Sequence, residues 1–96
     1  MFCYKIHKTQ FGKLIAICDK SLNGKTLDNK GIKFFVNPRF YCDKTIGNEI
    51  LDVISDSNDG NIVGNEIVDL LLGAGLISEE TVMLVEGIKH AQFTIL

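Results

Sequence analysis

Apolar and polar residues alternate along residues 2–8, the pattern of a β-strand with one buried face. Residues 13–18 predict a second strand, which is more apolar and therefore more central in a sheet. Between them Gly12 supplies the glycine that tight hairpin turns often require. The N-terminal segment therefore predicts a β-hairpin.

Turn-forming residues divide the next part of the chain. Asn23-Gly24 and Asn29-Lys30-Gly31 flank a weakly extended stretch at residues 25–27. A clearer strand follows at residues 32–36. Asn37-Pro38 ends it, because proline fixes φ and has no backbone N–H to donate.

Apolar residues recur at helical spacing beyond residue 45. The pattern predicts one helix over residues 46–54, a polar loop over 55–61, and a second, more deeply buried helix over 63–72. Glycines at 73 and 75 end the second helix, as expected where the last turn needs a left-handed cap.

The C-terminal part predicts a short turn at Ser78 and two closing strands, at residues 82–85 and 91–95. Strands followed by helices and further strands indicate the α+β class. We predict a mostly antiparallel β-sheet with two α-helices packed on one face. The whole chain, 1–96, is expected to be one domain that is strand-rich over 1–44, helical over 45–76 and closed by strands over 80–96.

Composition and cysteine content indicate the cellular compartment in which the protein is expected. The chain is 46% hydrophobic and 23% charged, as in globular proteins. Its three cysteines, Cys3, Cys18 and Cys42, form no C-x-x-C pair, which favours reduced thiols in the cytoplasm. No apolar stretch approaches the roughly 20 residues that span a bilayer, so we expect no membrane partner.

The net charge of −2 conceals an uneven distribution. Residues 1–44 carry nine bases and three acids, whereas residues 45–96 carry one base and nine acids. Seven of the eight aromatic residues also precede residue 42. Basic residues interleaved with aromatics are typical of RNA-binding sheets. The candidate RNA contacts are Lys5, Lys13, Lys33, Arg39 and Tyr41. The same pattern is also expected if the aromatics fill the core, or if the two halves attract each other.

Few residues indicate chemistry. His90 and Gln92 share one face of a predicted strand and could together bind a polar group. The loop Ser55–Glu66 resembles a calcium loop but lacks carboxylates at its first positions, so we expect no metal. Phosphate-binding and nucleophile motifs are absent from the sequence, so we expect no cofactor and find no positive case for catalysis.

Several short motifs together resemble a known family. They are Cys18-Asp19, Gly24-Lys25-Thr26, Phe40-Tyr41, Asn61-Ile62-Val63-Gly64, Gly75-Leu76-Ile77 and Gly87-Ile88-Lys89-His90-Ala91-Gln92. In order and spacing the chain is similar to the small archaeal family called domain of unknown function 424. Lys89 stands where that family would have proline, and Cys42-Asp43 where it would have glycine. The resemblance implies an archaeal cytoplasmic protein without an established activity, and it adds Asn61 and Gly64 to His90 and Gln92 as candidate ligand-binding residues.

Three functions therefore remain open. The leading hypothesis is a non-catalytic domain that binds RNA or a ribonucleoprotein, associated with translation, through the basic N-terminal sheet. The second is a small enzyme or ligand-binding protein with a polar pocket around Asn61, His90 and Gln92. The third is an interaction module whose acidic helical half binds a basic protein. A homodimer is compatible with each of them.

Overall fold

Strands dominate the structure, a computed structural model that describes residues 1–94. Two short 3₁₀ turns, Lys20–Leu22 and Glu79–Thr81, join some of the elements. In chain order the elements are β1 (Phe2–Thr9), β2 (Gly12–Asp19), β3 (Thr26–Asn29), β4 (Ile32–Phe35), α1 (Pro38–Tyr41), β5 (Lys44–Ile46), α2 (Ile50–Ile54), β6 (Asp59–Val63), α3 (Asn65–Gly73), β7 (Met83–Val85) and β8 (Ile88–Thr94).

Six of the strands form one sheet in the order β5-β1-β2-β6-β8-β7. Strand β6 runs parallel to β2, and every other neighbouring pair is antiparallel. The remaining two strands, β3 and β4, form a separate hairpin. The predicted α+β class with a mostly antiparallel sheet is thus confirmed.

Both faces of the sheet are covered. One, here called the helix face, packs Ile15, Ile17 and Ile62 against α2 and α3. The other, here called the hairpin face, packs Cys18 and Val63 against the β3–β4 hairpin and α1. Two cores on opposite sides of one sheet explain why the central strand β2 is apolar almost throughout, since both sets of its side chains are buried.

Strand β6 is the main correction to the sequence-based prediction. The sequence predicts a loop at residues 59–61 and places Val63 in the second helix, yet residues 59–63 form a central strand of the sheet. A glycine in a strand normally weakens it. Here Gly60 is required, because a Cβ at this position would lie 2.1 Å from the ring of Phe93 on the neighbouring strand.

The helices are shorter than predicted. The helix expected over 46–54 begins at Ile50, because Ile46 belongs to β5, which pairs with β1. The segment 45–76 therefore contains strand as well as helix. A short helix, α1, follows Asn37-Pro38 where only a break is expected from sequence, and Asn37 caps it by accepting a hydrogen bond from Arg39 N. The predicted extension of the last strand to Ile95 lies outside the described residues.

The longest helix of the described residues is α3, Asn65–Gly73. Among residues 1–94, no helix is both long and apolar enough to cross a membrane.

Candidate functional site

Strand register brings the candidate residues together in rows across the hairpin face. One row runs Lys5–Ala16–Asn61–Gln92, one residue from each of β1, β2, β6 and β8. The next row runs His7–Leu14–Asp59–Thr94. Neighbouring strands lie about 4.8 Å apart, so each row extends across roughly 15 Å of sheet.

Asn61 is held in one orientation by two aromatic neighbours. Its Oδ1 accepts a hydrogen bond from the Tyr41 hydroxyl at 2.8 Å and lies 3.1 Å from His90 Nε2. Because an amide oxygen only accepts, this pairing requires the His90 tautomer with its proton on Nε2. The Asn61 Nδ2 group is thereby left to donate to a ligand.

His90 is buried rather than presented to solvent. Its side chain is 6% exposed and its ring packs 5.3 Å from the ring of Phe34 on the hairpin. Burial lowers the pKa of His90 below its ordinary value of 6.5, which keeps the imidazole neutral at physiological pH. Gln92 shares the face, as predicted, but is exposed. His90 thus positions Asn61, whereas Gln92 is accessible to a ligand.

A polar hollow of about 350 Å³ opens beside Asn61, and we call it the amide hollow. Its walls include Asn61 and Gln92, which are directly paired across β6 and β8. Thr94 Oγ1 donates to Asp59 Oδ1 at 2.9 Å within the same wall. The complete lining consists of Leu14, Asp59, Gly60, Asn61, Gln92, Phe93 and Thr94.

Lys5 lies at the other end of the Asn61 row, and Arg39 of α1 lies beside it. Lys5 Nζ donates to the Arg39 carbonyl at 3.0 Å, which ties β1 to α1. His7 Nε2 lies 2.8 Å from the Phe40 carbonyl, and the two rings stack with centroids 4.7 Å apart. The Arg39 side chain is exposed. The hairpin face therefore combines amides at one end with positive charge at the other.

The remaining proposed RNA contacts lie elsewhere. Lys13 lies on the helix face, where its Nζ pairs with Asp56 at 3.2 Å. Lys33 lies on the β3–β4 hairpin and pairs with Asp28. Tyr41 is only 3% exposed, so its ring cannot stack on a base in this structure. Of the five proposed contacts, Lys5, Arg39 and Tyr41 lie in or beside the Asn61 row, and of these three Tyr41 is buried.

Gly64 has a structural role that explains its position. Its φ of 130° is one that residues with a Cβ rarely adopt, and an added Cβ would lie 2.3 Å from the Asp19 carboxyl carbon. The Asp19 carboxylate accepts hydrogen bonds from the backbone N–H groups of Glu66 and Ile67 at 3.0 and 2.9 Å. A carboxylate at the end of β2 thus caps α3 from a distant part of the chain.

Comparison with known proteins places these features in a family. The family model described as "Protein of unknown function (DUF424)" matches residues 6–96, which include nearly every candidate residue. The chain belongs to the DUF424 family. A comparison with curated proteins finds no match.

A solved structure similar to this DUF424 chain comes from Methanopyrus kandleri, where it is described as an uncharacterized conserved protein. The two share 26% sequence identity and superpose with a TM-score of 0.76. The match covers 99% of this chain and 91% of that one. The resemblance inferred from the motifs is thereby confirmed, as is the fold.

The DUF424 chain also carries residues that sequence analysis does not single out. Asp59, Thr94 and Leu14 line the amide hollow, although sequence alone places each in a loop or in an ordinary strand. Only strand register reveals them, because the three lie on three different strands. Asp19 belongs to the Cys18-Asp19 motif, but its role depends on a helix that begins far along the chain.

The three thiols of this DUF424 chain meet in the core under the hairpin. Cys3 is paired with Cys18 across β1 and β2, and Cys42 packs against the same core. All three are free. Burial raises the pKa of Cys18 to about 12 and that of Cys42 to about 11. The Cys18 and Cys42 thiols are therefore protonated at neutral pH and act as packing groups rather than nucleophiles.

Proposed function

We propose that this chain is a non-catalytic binding domain for single-stranded RNA, in which the amide hollow holds the edge of one unpaired base. The observation that carries the proposal is the oriented amide of Asn61 beside the exposed amide of Gln92. Asparagine and glutamine side chains are standard partners of base edges, because an amide donates and accepts in the plane of the base.

The size and chemistry of the hollow suit a base. A volume of about 350 Å³ falls at the lower end of the range for small-molecule pockets, roughly 300–1,000 Å³. Asn61 Nδ2 would donate to a base carbonyl or ring nitrogen, and the Asp59 carboxylate would accept from an exocyclic amine. Leu14 would supply an apolar contact to the base.

The charges around the amide hollow favour a base inside it and phosphate groups outside it. Asp59 disfavours a phosphate within the hollow, because like charges repel at short range. Lys5 and Arg39, at the far end of the same row, would attract the neighbouring phosphate groups instead. This arrangement favours an oligonucleotide over a free anion.

The lining supports binding rather than catalysis. Its polar side chains are two amides, one hydroxyl and one carboxylate, and that carboxylate is already hydrogen-bonded to Thr94. His90 and the thiols are the groups best suited to general-base or nucleophilic chemistry, and within the described chain they lie outside the lining of the hollow.

The test is binding of labelled single-stranded RNA homopolymers at low salt, measured by fluorescence anisotropy, beside the four free nucleoside monophosphates. Gln92→Ala should weaken RNA binding about tenfold, since a base contact is worth roughly 1–3 kcal/mol. Arg39→Gln should make binding less dependent on salt, lowering the slope of log K against log salt by about 0.7 for one phosphate contact.

Lys13→Gln is the matched control, because it removes the same charge from the opposite face of the sheet. It should leave both the affinity and the salt slope unchanged. If no RNA binds at low salt, or if Lys13→Gln weakens binding as much as Arg39→Gln, the proposal is wrong. Tight binding of a free nucleotide without RNA binding would assign the hollow to a small ligand instead.

A further inference from the structure

A second surface lies on the helix face, at the outer edge of the sheet and away from the amide hollow. Between the end of α3, the Glu79–Thr81 turn and strand β7 there is a groove of about 230 Å³, which we call the acidic groove. Its lining consists of Leu72, Glu79, Val82, Leu84 and Lys89. Three of these five residues are aliphatic, so the groove suits an apolar side chain.

Leu84 is the most unusual residue of this groove. Its side chain is 62% exposed, although leucine generally lies in the interior. It is paired with Lys89 on β8, which places it on the helix face beside α3. Among residues 1–94, β8 is the only strand that pairs with β7, so the opposite side of β7 is an edge.

The turn that joins β7 to β8 determines which backbone groups face outward. Glu86 and Gly87 both have positive φ, 53° and 75°, as in the two-residue turns typical of hairpins. In such hairpins Val85 and Ile88 form the hydrogen-bonded pair, and the next pair, Leu84 with Lys89, does not. The N–H and C=O of Leu84 therefore point away from the sheet, where an added strand would bind them.

The charge around the groove is negative. Glu79 lines it and Glu80 follows in the same exposed turn. Lys89, which also lines it, is neutralised by Asp69, since Lys89 Nζ and Asp69 Oδ1 lie 2.7 Å apart. Anionic partners, including an acidic lipid surface and a second β7 edge with its own glutamates, are thus disfavoured.

We propose that the acidic groove binds an extended, basic segment of a partner protein, which adds a strand to β7 and inserts an apolar side chain over Leu84. The glutamates would pair with its lysines or arginines, and the outward N–H and C=O of Leu84 would fix its register. This surface is separate from the amide hollow, so each proposal can fail without the other.

The test uses a short synthetic peptide of alternating lysine and valine, titrated into the isotopically labelled protein and followed by NMR chemical shifts. The same peptide with glutamate in place of lysine is the negative probe. We expect only the basic peptide to bind, with shifts centred on β7 and the Glu79–Thr81 turn. Leu84→Ser should weaken binding about tenfold or more, as expected for loss of a central apolar contact.

Two further variants keep the test decisive. Glu79→Lys combined with Glu80→Lys should weaken binding about as much, because it reverses the charge at exposed positions without touching the core. Phe11→Ser is the matched control, since Phe11 is an exposed apolar residue at the distant β1–β2 turn. The Phe11→Ser variant should bind the basic peptide with the same affinity as the unaltered protein.

Several results would overturn the proposal. They are equal binding of the acidic peptide, shifts that lie elsewhere, or binding that Leu84→Ser leaves unchanged. Sedimentation that shows self-association, abolished by Leu84→Ser, would instead make a second copy of this chain the occupant of the groove.

Discussion

Gly64 leaves room for a carboxylate that a methyl group would displace. An alanine Cβ at this position would lie 2.3 Å from the Asp19 carboxyl carbon and 2.5 Å from one of its oxygens. The same carboxylate accepts two hydrogen bonds from the first turn of α3. Gly64→Ala should therefore break the cap of α3 as well as strain the backbone.

The expected energies follow from these two effects. Holding an alanine at a φ of 130° costs about 1–3 kcal/mol. Losing the cap costs about 1–2 kcal/mol, and Asp19→Ala alone should cost that amount. In the double variant the cap is lost only once. The losses of unfolding free energy in the two single variants should thus add up to about 1–2 kcal/mol more than the loss in the double variant. This difference is the coupling energy of the pair.

The assay is urea unfolding of the four proteins, followed by far-UV circular dichroism. Gly31→Ala is the matched control, because Gly31 also has positive φ, 89°, but a Cβ added there would meet no atom of the described residues within 4 Å. Combined with Asp19→Ala, it should give additive losses to within about 0.5 kcal/mol. Additive losses for Gly64→Ala and Asp19→Ala would refute the cap, since they would mean that the glycine and the carboxylate act independently.

Two kinds of titratable group give further predictions. Because burial lowers the pKa of His90 below 6.5, the unfolded chain takes up the proton first, so stability should fall as the pH drops below 6.5, by at most about 1.4 kcal/mol per pH unit. His90→Gln should lose that part of the pH dependence in urea unfolding; an unchanged pH dependence would show that His90 is not protonated on unfolding. Because the pKa values of Cys18 and Cys42 are raised to about 12 and about 11, iodoacetamide should alkylate them far more slowly in the native protein than in urea at mildly alkaline pH. Mass spectrometry gives both rates, and equal rates would contradict the buried environment of the thiols.

The strands that obey a simple period can be predicted from sequence. Strands β1 and β2 alternate or run apolar as a sheet requires, and their hairpin is local, so the sequence predicts both. Strand β6 contains Asp59, Gly60 and Asn61, which disfavour a strand when each is considered alone. It forms because Phe93 packs over Gly60 and because β2 offers a long apolar edge, and both partners lie far away in the chain.

The candidate site is predictable to a similar extent. The shared face of His90 and Gln92 follows from the two-residue period of a strand. The family resemblance adds Asn61 to the candidate residues, but that Asn61 meets His90 is shown only by the structure. Sequence also does not reveal the orientation of Asn61 by Tyr41. This last contact depends on where α1 crosses the sheet. The ion pairs that occupy Lys13 and Lys33 are likewise set by tertiary packing, so charge counting alone overestimates the basic surface.

The parallel pairing of β2 with β6 has a consequence for synthesis. Each paired residue of β2 has its partner in β6, 45 positions later in the chain. At translation rates of roughly 5–20 residues per second, the nascent chain carries an unpaired, apolar β2 edge for about 2–9 s. During that interval the growing chain can associate with other chains through that edge. A chaperone at the ribosome exit would protect this β2 edge until residue 63 has emerged.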